Sequence, residues 1–130
     1  MLICLILKGV MEMEIWKDII GYDGLYMISN MGNIYSNITH KQMKPRHDRD
    51  GYLLVNLHSP SGKSRTEKVH RLVALHFCEK KDGCTEVNHI DCDRANNNAS
   101  NLEWVSHREN IMWQASNGTL FPNRGLTYNF

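Results

Sequence analysis

Residues 87–110, "VNHIDCDRANNNASNLEWVSHREN", decide the fold. Two short apolar runs, "VNHI" and "LEWV", flank a polar loop rich in aspartate and asparagine. Such runs on either side of turn-forming residues predict two paired strands. Ser106, followed three residues later by Glu109, is a capping box, so a helix should start directly after the second strand. The order is therefore strand, loop, strand, helix, with Gly118 placed where that helix would stop. Asn110 falls in the first turn or so of the helix and can point back at the first strand. Asn88 and His89 are neighbours and would face opposite sides of a regular strand. Both can serve one site only if the strand ends or bulges there.

Upstream of this unit, "VHRLVALHF" predicts a short helix with Leu72, Leu75 and His76 near one another and Val73 and Phe77 alongside. Before it, "DGYLLVNLHS", the turn "PSGKS" and "RTEKV" read as a hairpin belonging to a sheet with one face covered. The Gly-Lys-Ser in that turn lacks the glycine-bracketed form of a phosphate loop and precedes no helix. Further back, "LYMIS" and "NIYSN" suit another hairpin, bounded by the turns "GYDG" and "NMGN". The pattern predicts an α+β fold, with a small antiparallel sheet lobe leading into the strand–loop–strand–helix unit.

The chain has 130 residues, a formal net charge of +1 and no low-complexity tract. Its charge is unevenly spread. Residues 40–71 carry eight basic side chains (Lys41, Lys44, Arg46, Arg49, Lys63, Arg65, Lys68 and Arg71) against three acidic ones, and the flanking segments are each net acidic. A basic segment of this kind is either a phosphate-contacting surface or a solvated face of two strands. The opening "MLICLILKGV" lacks a basic leader and a cleavage site, and it is too short to span a bilayer. Residues 1–13 therefore read as a disordered leader or as residues ahead of an internal start. Four cysteines without a paired framework point to a reducing compartment. The glycosylation-type triplets at Asn37, Asn98 and Asn117 then carry no weight.

The series "VNHID…NN…NLEWV…EN" resembles the HNH endonuclease family, whose ββα-metal fold is a hairpin and a helix gripping one metal ion. "IWKDIIGYDGLYMISNMGNIYS" is similar to the small module that often precedes this domain in phage and intron-encoded homing endonucleases, and "VHRLVALHFCE" matches the same group. The resemblance runs from about Trp16 to about Leu120 and divides the chain into a leader (1–13), a β-rich DNA-contacting module (14–66), an HNH nuclease domain (67–120) and a tail (121–130). It implies that His89 is the general base, that Asn88 and Asn110 are metal ligands, and that Asn101 braces the loop and helps orient the histidine. By this resemblance Asn88 stands where some relatives carry aspartate, and Cys92 departs from the glycine the family usually has there.

One divalent ion is implied, Mg²⁺ before Mn²⁺. Two neutral amides give such a cation no formal charge, so tight binding is expected only with DNA phosphate present. The implied partner is double-stranded DNA, bound by a monomer, with no membrane and no small-molecule cofactor. Arg46, Arg49, Lys63, Arg65, Lys68 and Arg71 are the candidate phosphate contacts. The setting is the cytoplasm of a bacterial or phage-infected cell. Larger homing relatives continue into a C-terminal DNA-binding module, so a chain ending ten residues after Leu120 is expected to recognise a short or degenerate site.

Rival readings of the same residues are weaker. "DCDRAN" starts like a calcium loop, but Ala95, Asn96 and Leu102 occupy positions that need a ligand, a glycine and a glutamate. A zinc site from Cys84, His89 and Cys92 with His76 or Cys78 lacks any CxxC pair. His70 and His76 read as packing or capping residues, Trp104 and Trp113 as core, and His107 as the one alternative base. A DNA-binding module that does not cleave stays open, because both implied ligands are uncharged.

Overall fold

A computed structural model describes residues 13–116. The leader expected over 1–13 (apart from Met13), the helix stop at Gly118 and the tail over 121–130 lie outside them. The described chain forms nine strands and two helices. Strands β1 (Trp16–Asp18), β2 (Tyr26–Ser29), β3 (Ile34–Ser36) and β4 (Lys41–Gln42) make one antiparallel sheet in sequence order. Strands β5 (Arg46–His47), β6 (Leu53–His58) and β7 (Ser64–Lys68) make a second. Helix α1 (Val69–Phe77) follows at once. Strands β8 (Glu86–His89) and β9 (Leu102–Val105) then form a hairpin, and helix α2 (His107–Ser116) is the last of the described elements. This is the α+β architecture the sequence predicts.

Local sequence explains most of the elements. The two hairpins of the first lobe turn at "NMGN" and "PSGK", where Gly32 and Gly62 take the positive φ that L side chains avoid. In β6 the burial alternates: Val55 and Leu57 are buried while Asn56 and His58 are exposed, so one face of the second sheet is covered. Helix α2 begins on the expected box, with Ser106 Oγ accepting from the Glu109 amide (3.0 Å) and Glu109 accepting from the Ser106 amide (2.9 Å).

Helix α1 sits at the centre, touching strands of all three sheets. Its Val69, Leu72 and Val73 join Ile28, Ile34, Leu57, Leu102 and Trp104 in the core. The Trp104 indole donates to the Ala74 carbonyl (3.1 Å), which ties the last hairpin to the helix. Leu75 departs from expectation. It is 51% exposed, because the buried stripe runs through residues 69, 70, 72, 73 and 74 and leaves Leu75 on the outer face. His76 is a packing residue as expected: Nε2 accepts from the Ile20 amide (3.0 Å), so Nδ1 is the donor to the Leu72 carbonyl (2.7 Å). No helix among the described residues is long and apolar enough to cross a membrane.

Candidate active site

The last hairpin brings Asn88 and His89 to one pocket. In the ladder Asn88 faces Glu103 and His89 faces Leu102, and pairing stops there because the loop begins. Neighbours on opposite faces thus meet at the end of the strand, both nearly buried at 4% and 5% exposure. The pocket wall is Tyr52, Val87, Asn88, His89, Cys92, Arg94, Asn110, Trp113 and Gln114. The sequence-selected Asn88, His89 and Asn110 are therefore together, and no carboxylate stands on that wall.

The imidazole of His89 is tightly fixed. Its Nε2 lies 2.8 Å from Asn97 Oδ1, and an amide oxygen only accepts, so Nε2 carries the proton and Nδ1 keeps the lone pair. The ring also packs against Tyr52 (6.0 Å between centroids) and His70 (5.0 Å). Burial lowers the pKa of His89, so the ring is neutral at cellular pH and able to accept a proton. His70 is pushed down to about 3, first by burial and then by the neighbouring His89, Lys68 and Arg71. Its Nδ1 is buried without a hydrogen bond, as is Asn97 Nδ2. His107 lies elsewhere, exposed on α2 with Nδ1 2.5 Å from Glu86 Oε2.

The loop that carries Asn97 is built on short polar contacts. Cys92 closes a turn through its amide to the His89 carbonyl (3.0 Å) with φ at +67°, a conformation that favours glycine. Asn101 accepts from the Asp91 amide (3.0 Å) and donates to Asp91 Oδ1 and to the Asn96 carbonyl (both 2.9 Å). The Asp91 carboxyl is held below its ordinary range chiefly by the hydrogen bond from Asn96. Asn101 braces the loop, and Asn97 touches the ring.

Both proposed ligands have carboxylates behind them. Asn110 Nδ2 donates to Glu86 Oε1 (2.9 Å) and Asn88 Nδ2 to Glu103 Oε1 (3.3 Å). A carboxylate can only accept, so each amide turns its nitrogen outward and leaves its carbonyl oxygen for another partner. Asn110 Oδ1 also accepts from Gln114 (3.2 Å), which still leaves it one lone pair. Two amide oxygens suit a hard, oxygen-seeking divalent cation.

The basic candidates sort by face. Arg46 pairs with Leu54 and Leu54 with Lys68, so Arg46 and Lys68 stand in one row on one face of the second sheet. Lys68 lies 5.8 Å over the Tyr52 ring and so adjoins the pocket. Arg65 pairs with Leu57, on the opposite face, and is 3.9 Å from Glu67. Arg71 donates to the Thr85 carbonyl (3.0 Å) and covers Trp104. Arg49 and Lys63 are exposed in the turns before and after β6. Sequence reasoning missed Tyr52, Arg94 and Asn97, none of which left a local signal. His70, expected to pack, is buried against the rings of Tyr52 and His89.

Residues 14–58 match the NUMOD4 motif and residues 67–112 match the HNH endonuclease family. The chain is 45% identical over 105 residues to the DNA endonuclease I-HmuI of Bacillus phage SP01, covering 81% of this chain and 60% of that protein. It is 40% identical over 111 residues to HNH endonuclease L247 of Acanthamoeba polyphaga mimivirus, covering 82% of this chain and 27% of the relative. A solved structure on DNA binding and cleavage by the HNH homing endonuclease I-HmuI superposes with a TM-score of 0.75, at 82% coverage of this chain and 60% of that one. The chain thus spans less than two thirds of the length of these relatives.

Proposed function

Through residues 67–112 the chain belongs to the HNH endonuclease family, and from that premise we propose that it is a metal-dependent DNA endonuclease. One observation carries the reading. A buried, neutral histidine with a free Nδ1 lies in the same pocket as two amide oxygens and no carboxylate.

In this account Asn88 and Asn110 hold one divalent cation, Mg²⁺ or Mn²⁺, through their side-chain oxygens. When bound, that ion offsets the negative charge that builds at the phosphate and the departing oxygen. His89 Nδ1 takes a proton from a water aligned with the phosphorus. The water oxygen bonds to phosphorus as the bond to the 3′ oxygen breaks, and solvent protonates the departing oxygen. The ends are a 5′-phosphate and a 3′-hydroxyl. Asn97 holds the imidazole in the tautomer this step needs, and Asn101 keeps the loop beneath it rigid.

The proposed division of labour places DNA contacts on the β-rich module (14–66) and cleavage on residues 67–120. Arg46 and Lys68 form the track nearest the pocket, and Arg49, Lys63, Arg65 and Arg71 contribute at greater distance. The protein acts as a monomer on double-stranded DNA in the cytoplasm of a bacterial or phage-infected cell.

Purified protein is expected to nick or linearise supercoiled plasmid in Mg²⁺ or Mn²⁺, to stop on chelation, and to leave the ends named above on end-mapping. Salt-dependent binding with no cleavage in either metal would instead support the non-cleaving module, which the uncharged ligand pair favours.

A further inference from the structure

We infer that Arg94 grips the scissile phosphate, resting this on the nuclease reading of the same pocket. Among the residues of the pocket wall Arg94 is the one that carries a permanent charge. The two proposed ligands are amides and no carboxylate lines the wall, so Arg94 has no acidic partner on that wall to compete with an entering phosphodiester. The other arginines discussed above are away from that wall.

The local geometry presents the guanidinium rather than hiding it. It lies 4.9 Å over the Tyr52 ring, and Nη1 donates to the Asp50 carbonyl (2.8 Å). That neutral acceptor uses one of five donor positions, and no ion pair to Arg94 exists among the described residues. The ring contact and the bond to Asp50 restrain the group, so less freedom is lost when it engages phosphate oxygens. Tyr52 also packs on His89, which sets the fork beside the base. Lys68 over the same ring extends the cationic track back to Arg46.

The bland alternative is a strut joining the loop of residues 90–101 to the turn before β6. Three proteins separate the two: wild type, Arg94→Gln and Arg94→Lys. Each is followed by single-turnover cleavage in Mg²⁺, by DNA affinity against salt in Ca²⁺, and by thermal melting. Arg94→Gln should slow cleavage by roughly 10²–10³-fold, as loss of one transition-state donor does. It should also make the log–log salt dependence shallower by about 0.9, one phosphate contact fewer. Arg94→Lys should keep the wild-type slope and recover part of the rate. A slope unchanged in Arg94→Gln, whether the rate falls with the melting temperature or stays at the wild-type value, overturns the inference. If wild type itself cuts nothing in either metal, the nuclease reading fails, and the slope then decides the phosphate contact alone.

Discussion

Cys92 holds a backbone conformation that costs an L residue roughly 1–2 kcal/mol, with φ at +67° in the turn that follows the proposed base. Glycine removes that strain but adds freedom to the unfolded chain, so Cys92→Gly should be more stable by up to about 1 kcal/mol. Chemical denaturation checks this, with Cys92→Ala as the control that keeps the strain. His70 gives a second residue-scale prediction. Its pKa is about 3 when folded and near 6.5 when unfolded, so the unfolded chain takes up the proton first as pH falls. The stability it contributes is complete above pH ~6.5 and drains away toward pH ~3, and His89 acts in the same direction. Between pH ~6.5 and ~5 the depressed carboxyls of Asp48, Asp91 and Glu109 stay ionised, so the histidines alone set this limb. Melting temperatures across that window should fall less for His70→Phe than for wild type.

Between elements, the turn joining β2 to β3 presses on the loop that carries Asn97. The Ala99 amide donates to the Asn30 carbonyl (2.7 Å), and a Cβ on Gly32 would stand 3.0 Å from Asn97 Cβ and 3.1 Å from its carbonyl oxygen. Gly32 also has φ at +86°, so Gly32→Ala brings both backbone strain and a shove on the side chain that holds His89. Cleavage should drop by more than DNA affinity does, although Gly32 lies in the first sheet, away from the pocket wall. Equal losses in both would mean that the turn only stabilises the fold. The same contact explains what the sequence could not show. Asn96, Asn97 and Asn98 are three identical residues in a row, and no local pattern says which reaches the histidine. That is settled by the 3-10 turn Ala99–Asn101 and by a glycine 65 residues earlier in the chain. The hairpin, the capping box and the placement of Asn110 were legible because apolar runs flanking turn-forming residues and cap chemistry are local. The faces of Arg65 and Leu75 were not, because packing partners from other sheets choose them.

At the scale of the molecule, the first lobe and the HNH unit share one core through α1, and the pocket opens where they meet, with Tyr52 from one and His89 from the other. The arrangement makes the lobe part of the site, since Tyr52, Arg94 and Lys68 form a continuous contact beside the base. The central claim is that His89 is that base. Its most direct test is the single-turnover cleavage rate of His89→Ala against wild type in Mg²⁺, with DNA affinity measured in parallel. The account predicts a rate lower by about 10²–10⁴-fold with affinity nearly unchanged. Cleavage by His89→Ala at the wild-type rate would contradict it.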